Sequence, residues 1–349
     1  MPSNTGLLFL AVCGLITSWP AVAVAQNSAA DAAESKRESE PSPNPEFEAE
    51  IARLIQQLDA DSFAEREKAQ KRLVEIGAAA LPKLYQAAES KSPEQRFRAR
   101  HIIETVGLRD ITEQFAALGR MRDRDIDLEQ GMWLIARLVD PRADRERITK
   151  QLDELTDEVR KRLGPDFHRD AYDPREVVEA LRHVLAVEHK LGGARENYSH
   201  PDNSSIDRVL ATGKGLPILL SHVAVAVGRR LELPIVGIPV PGRYMFMYDG
   251  ARGPKEWSGE DIIVDPFDEW KTLTPADVAL ISSTFDPARH QVADTNRAAL
   301  SRMLTNLASH ATVVGEAKTA ALARRCQALL EAQSRDELDP QPPERGGEQ

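Results

Sequence analysis

The run GKGLPILLSHVAVAVGRRLELPIVGIPVPGRYMFMY at residues 213–248 decides the reading of the fold. Pro217 suits the first position of a helix, where its missing N–H would be unpaired in any case. Residues 218–231 then run almost unbroken in apolar side chains, which predicts a central, buried helix. Three β-like runs come next, at 234–240, 244–248 and 262–265, rich in Val, Ile, Met and aromatics and separated by Gly-containing turns. An antiparallel sheet packed on a buried helix is the economical arrangement. Within 244–248, alternation places Met245 and Met247 on one face and Phe246 on the other, a core pattern more than a ligand box.

Upstream of this run the chain reads as helical. Met132, Trp133, Ile135 and Leu138 mark one helix, and Ile148, Leu152, Leu155, Val159 and Leu163 a second, stopped by Gly164-Pro165. A third opens at Asp173-Pro174, carries the stripe Val177, Val178, Leu181, Val184 and Leu185, and is expected to end at Gly192-Gly193. Farther back, Ser62, Glu65, Ala69, Leu73 and Gly77 return 30 residues later as Ser92, Gln95, Ala99, Ile103 and Gly107, with Arg66 and Arg96 at the same offset. Residues 47–108 therefore read as two paired-helix units, each stopped by its glycine, and resemble short bacterial HEAT-like repeats. A helix start is expected at Phe47.

Composition bounds the function classes. The chain has 349 residues with 45 Lys plus Arg against 55 Asp plus Glu, a formal charge of −10, so nothing drives it to nucleic-acid phosphates. Its charged fraction is 29%, and no apolar run of spanning length exists beyond the extreme N-terminus, so no membrane span is expected after signal cleavage. Residues 1–25 read as a signal peptide cut after Ala25, although residues 1–5 carry no Lys or Arg and Leu10-Ala11-Val12-Cys13 mimics a lipoprotein site. Export to the periplasm or cell envelope is the expectation. Residues 26–46 read as a disordered linker, 281–335 as C-terminal helices and 336–349 as a disordered tail. Only Cys13 and Cys326 occur, which excludes a disulfide framework; Cys326, among Leu322, Leu329 and Leu330, reads as a buried small hydrophobe. No cofactor is expected, and no metal: His183 and His189 lie six apart on different helix faces.

A family resemblance rests on Asn197-Tyr198, Pro201, Asn203-Ser204, Val209-Leu210, Gly215-Leu216-Pro217-Ile218, Leu220-Ser221, Arg229-Arg230-Leu231, Leu233-Pro234, Gly237, Pro241-Gly242 and Val264-Asp265-Pro266-Phe267. In this order they resemble the SirB-type family of transglutaminase-like proteins. Helical lead-in and C-terminal segments extend the likeness over about residues 115–330, with the domain itself placed at 109–280. The resemblance implies a predominantly helical α+β fold with a transglutaminase-like core, flanked by α-solenoid-like helices. It also implies a Cys at the start of the central helix, a His opening a later strand and an Asp on the strand after it. Such a set works by a thiolate activated by imidazole and the helix N-terminus, with the carboxylate orienting the imidazole.

Carried onto this chain, the Cys position falls on Pro217 or its neighbour, the His position on Arg243 and the Asp position on Asp265. Arg stays protonated above pH 12 and cannot serve as a general base. The expectation is a non-catalytic binding or scaffold module taking a protein or peptide partner, an acidic one being suited to Arg243. Two readings of Arg243 stand: a fixed cation that binds carboxylate or phosphate in the cleft, or an ion pair with Asp265 that locks two strands. The candidate binding residues are Arg243, Asp265, Tyr244, Asn203, Ser221 and His222. The alternative is a cysteine-independent hydrolase or transferase acting on peptide or amide bonds. A dyad of Ser221 with His222 is not its basis, because adjacent helical side chains diverge by about 100°. His200 stands where relatives carry Asp and reads as a surface-turn residue.

Overall fold

The computed structural model describes residues 44–168, 171–257 and 259–332. The signal peptide, most of the linker, Cys13 and the C-terminal tail lie outside the described residues. The chain divides into two units, Met1–Ala52 and Arg53–Gln349, the boundary falling inside the first helix.

That helix, α1, spans Pro45–Gln57. It begins two residues before Phe47, because Asn44 Oδ1 accepts the Glu46 N–H at 3.1 Å and Pro45 fits the first helical position. Helices α2 (Phe63–Ile76), α3 (Leu81–Ala87) and α4 (Pro93–Arg120) come next. The 30-residue repeat is visible in its bonds. Arg66 Nη1 donates to the carbonyls of Ala60 (2.7 Å) and Asp61 (3.0 Å), and Arg96 Nη1 does the same to Ser90 (2.7 Å) and Lys91 (2.9 Å). The two glycines behave differently. Gly77 takes φ +76° and caps α2, whereas Gly107 lies inside α4, which runs on through 108 and 109. The stop expected at Gly107 is absent because Ile111, Phe115 and Leu118 continue the buried stripe beyond it. An interior glycine costs a helix about 1 kcal/mol relative to Ala; apolar burial downstream outweighs it.

Helices α5 (Leu128–Val139), α6 (Arg145–Leu163) and α7 (Pro174–Arg182) have Asp127, Asp144 and Asp173 as N-caps, each accepting N–H bonds from the first turn. A π-helical segment, His183–Glu188, extends α7. Gly192-Gly193, expected to end a helix, forms instead a two-residue strand, β1 (Gly192–Gly193), parallel to β2 (Lys214–Gly215). Between these strands lies α8 (Ile206–Thr212).

Helix α9, Pro217–Arg230, is the central element; residues 218–228 are all buried. Its C-terminal Arg230 ties it to α5 and α6 by bonds to Glu129 Oε2 (2.9 Å) and Asp153 Oδ1 (2.7 Å). It packs on an antiparallel sheet of order β3-β4-β5-β6: β3 Ile235–Ile238, β4 Met245–Tyr248, β5 Ile262–Asp265 and β6 Lys271–Leu273. Ile235, Phe246, Tyr248, Ile262 and Val264 join the main helical core, while Ile238, Met245, Met247 and Ile263 form a second core with Val278 and Phe285. The Met/Phe alternation expected for 244–248 is thus realised. The fold is a predominantly helical α+β, as expected.

Strand β6 has no counterpart in the sequence reading. It is short, polar and paired on one side, and the turn before it places Glu269 (φ 58°) and Trp270 (φ 57°) in the left-handed region with none of the usual Asn or Gly. Buried Trp270 holds that turn: its Nε1 donates to the Leu191 carbonyl at 2.8 Å and its ring meets Phe246 edge-on at 5.7 Å. The chain closes with α10 (Pro275–Ile281), α11 (Pro287–His290), α12 (Asn296–Val313) and α13 (Ala317–Glu331). Among the described residues no helix is long and apolar enough to cross a membrane.

Candidate functional site

At the start of α9, Pro217 occupies the first helical position and Leu216 the N-cap, without a side-chain cap. The Leu216 N–H donates to the Asn203 carbonyl at 3.1 Å. Asn203 in turn donates its Nδ2 to the carbonyls of Asn197 (2.5 Å) and Tyr198 (3.2 Å). Asn203 is therefore a brace holding the 197–204 turn against the helix start. His200 caps that turn, its Nδ1 accepting the Asp202 N–H at 3.3 Å, and is exposed.

Arg243 and Asp265 form a closed pair. Arg243 Nη1 donates to Asp265 Oδ2 at 2.6 Å, and Asp265 Oδ1 accepts the N–H groups of Phe267 (3.0 Å) and Asp268 (3.2 Å). The Asp265 side chain is 2% exposed and that of Arg243 39%. A carboxylate with both oxygens engaged, one by a cation, is not poised to orient a third group. The reading in which Arg243 locks the β4 approach to the end of β5 is the one the geometry favours. Strand alternation sets both residues in phase with Met245 and Ile263, on the face that carries the second core.

On the opposite face, next to α9, a separate polar chain runs inside the protein. Tyr244 Oη donates to Asp294 Oδ2 at 3.1 Å and lies 3.1 Å from His222 Nε2. Tyr244 has one proton to give, and it goes to Asp294, so the proton between Tyr244 and His222 sits on Nε2. His222 Nδ1 is then a bare acceptor, buried and with no partner among the described residues. Burial, and secondarily the charge of Arg229, depresses the His222 imidazole to about 3, so it is neutral. Burial pushes the Tyr244 phenol well above its usual range and raises the Asp294 carboxyl against the pull of Arg302, whose Nε lies 3.5 Å away. Gly237 makes room for this chain: a Cβ there would fall 2.7 Å from Tyr244 Oη.

The six expected binding residues thus divide. Asn203, Tyr244, Asp265, Ser221 and His222 are buried, and only Arg243 faces solvent. Ser221 Oγ has no hydrogen-bond partner among the described residues, so it forms no dyad with His222. The thiol of Cys326 is buried in α13, where desolvation raises it to about 12. Asp294 carries no signal in the sequence, since it lies in a loop with no motif around it and joins β3 through its own N–H bond to the Gly237 carbonyl at 2.8 Å.

Residues 146–305 match the family model described as the transglutaminase-like superfamily, and the chain carries a domain of that superfamily. The match takes in the central helix and the whole four-stranded sheet. Among curated proteins, the chain is 28% identical over 149 residues to a UPF0162 protein of Vibrio cholerae serotype O1, covering 42% of this chain and 51% of that one. It is 29% identical over 136 residues to F-box only protein 21 of Mus musculus and 28% to that of Homo sapiens, in each case covering 38% of this chain and 22% of the relative. The chain thus spans about half the length of the first relative and under a quarter of the others. No solved structure matches it.

Proposed function

We propose that the transglutaminase-like domain is a non-catalytic module that binds a protein or peptide partner in an exported protein. One observation carries the reading. Where the resemblance calls for a thiol, an imidazole and an orienting carboxylate, the chain has Pro217, Arg243 and Asp265, and the last two are taken up by each other in an ion pair. A pyrrolidine offers no nucleophile and a guanidinium no base near neutrality. In the best-studied hydrolase triad, loss of its members leaves only about 10³–10⁴-fold of rate enhancement over water. SirB-type membership and the HEAT-like character of the N-terminal helices belong to this same proposal, as does export, which rests on the apolar run and the Ala23-Val24-Ala25 motif. Arg243 gives one of its five N–H donors to Asp265 and is solvent-exposed, so an acidic peptide is the partner chemistry it suits.

The test is a pair of assays on the full chain. Transfer of a labelled amine and cleavage of a peptide library are both expected to be absent. Turnover that disappears in Asp265→Ala would overturn the proposal in favour of a cysteine-independent hydrolase or transferase. In the second assay, immobilised wild-type protein retains acidic peptides from the library, and Arg243→Ala, folded by circular dichroism, releases them.

A further inference from the structure

A cavity of about 390 Å³ opens where α3, α4, α5 and α13 meet. It shares no residue with the Arg243–Asp265 pair. Ile103, Gly107 and Leu108 of α4, Leu138 of α5 and Leu322 of α13 make its apolar wall. Two features separate it from an accidental gap between helices. Gly107 sits mid-helix with ordinary helical φ, and a Cβ built on it meets nothing within 4 Å, so packing does not ask for glycine there. What a larger side chain would do is fill the cavity. The second feature is charge. Six charged residues line the wall, and five of them are answered: Glu89 by Arg142 (2.9 Å), Asp140 by Arg208 (3.0 Å), Glu104 by Lys318 (3.1 Å) and Arg137 by Asp110 (2.6 Å). Arg100 alone has no carboxylate within ion-pair distance among the described residues; its one hydrogen bond is a long one, Nη2 to the Ala88 carbonyl at 3.4 Å. Behind it, Arg137 is fixed 4.9 Å over the Trp133 ring, and its buried charge is neutralised locally.

We infer that this cavity is a binding site for a small monoanion with an apolar body, a carboxylate whose chain or ring lies along α4 across Gly107 while its charge meets Arg100. The volume falls within the range of small-molecule pockets, roughly 300–1,000 Å³, and is too small for a folded partner. Arg100 is exposed and has no carboxylate partner among the described residues, so beside the apolar wall it favours one negative charge: a carboxylate can replace its water with a charge-assisted hydrogen bond, which a neutral amphiphile cannot. Binding here does not depend on the role proposed for the transglutaminase-like domain.

Isothermal titration of the full chain with sodium octanoate, octanamide and acetate tests it. Octanoate is expected to bind with a dissociation constant on the order of 10⁻⁴ M, the strength suited to a ligand of so few atoms. Octanamide should bind about tenfold more weakly, and acetate not detectably, because each lacks one half of the recognition. Gly107→Leu should abolish octanoate binding with helicity unchanged, since Leu is the better helix former, and Gly107→Ala should weaken it. Arg100→Leu should bring octanoate down to the level of octanamide. No octanoate binding at about 5 mM, well above that dissociation constant, would overturn the inference. So would equal affinity for octanamide, or octanoate binding that survives in Gly107→Leu, the mark of adsorption elsewhere on the surface.

Discussion

Lowering the pH from 7 to 5 should destabilise this protein through His222, by an amount the structure allows to be worked out. In the unfolded chain an imidazole titrates near 6.5, and in the folded protein burial beside Arg229 depresses it to about 3. The unfolded state therefore takes up a proton that the native state refuses. Stability from this group is complete above pH 6.5, declines as the pH falls below it, and is lost in full only by about pH 3. At pH 5 the unfolded imidazole is almost fully protonated and the native one almost not at all, which corresponds to about 2 kcal/mol. Other groups titrate in the same window. Asp294, whose carboxyl burial raises, works in the opposite direction, because its native form holds a proton more firmly than the unfolded chain does. The contribution of His222 is isolated by comparison with His222→Gln, whose Nε2 can still donate to Tyr244 and leaves Asp294 in place. Urea unfolding followed by circular dichroism at pH 7, 6 and 5 gives the two curves. The wild type should lose about 2 kcal/mol more than the variant between pH 7 and 5. Parallel curves would refute the reasoning, since they would mean that His222 reaches solvent or finds a counter-charge.

Further expectations concern single positions. Glu269, exposed and held at φ 58° in the turn before β6, should be replaceable by Gly with a gain of about 0.5–1 kcal/mol in urea unfolding, by relief of a left-handed conformation; no gain would mean that the turn is not strained. Arg243→Ala should cost about 1–2 kcal/mol by the same measurement, less than a fully buried pair because the guanidinium is partly in water. In a Cys13→Ala background, Cys326 should resist alkylation at pH 8 in the native state and react at the rate of global opening, because the buried thiol stays protonated up to about 12.

The parts of the fold visible in the sequence are those whose signal is local and periodic. Helix α9 is announced by uninterrupted apolar residues after Pro217, and β3, β4 and β5 by short β-branched and aromatic runs. Strand β6 has no such signal, since its turn is dictated by Trp270 reaching Leu191 and Phe246, contacts that lie far away in sequence. The likeness of Gly107 to Gly77 suggests a helix stop, and it misleads because a glycine ends a helix only where the downstream residues bury too little apolar surface to offset the lost propensity. Arg243 and Asp265 are legible as a pair on neighbouring strands. The partner of Tyr244 is not, for Asp294 is brought to it by a loop crossing β3.

The two faces of the sheet are held by different polar contacts. On one face a guanidinium and a carboxylate close on each other, which fixes the end of β5 at no demand for an open cleft. On the other, His222 is kept neutral and directs its only N–H at Tyr244. A catalytic imidazole needs a titration point near the working pH and a free nitrogen within reach of substrate. His222 has its free nitrogen, Nδ1, but it is sealed in the core and titrates far below neutrality. Both clusters tie strands and helix together: Arg243 with Asp265 at the end of β5, and Tyr244 with His222 of α9 and Asp294. The wall around Gly107 differs in kind: there the chain gives up helix propensity and leaves space unfilled beside Arg100, an exposed cation with no carboxylate partner among the described residues.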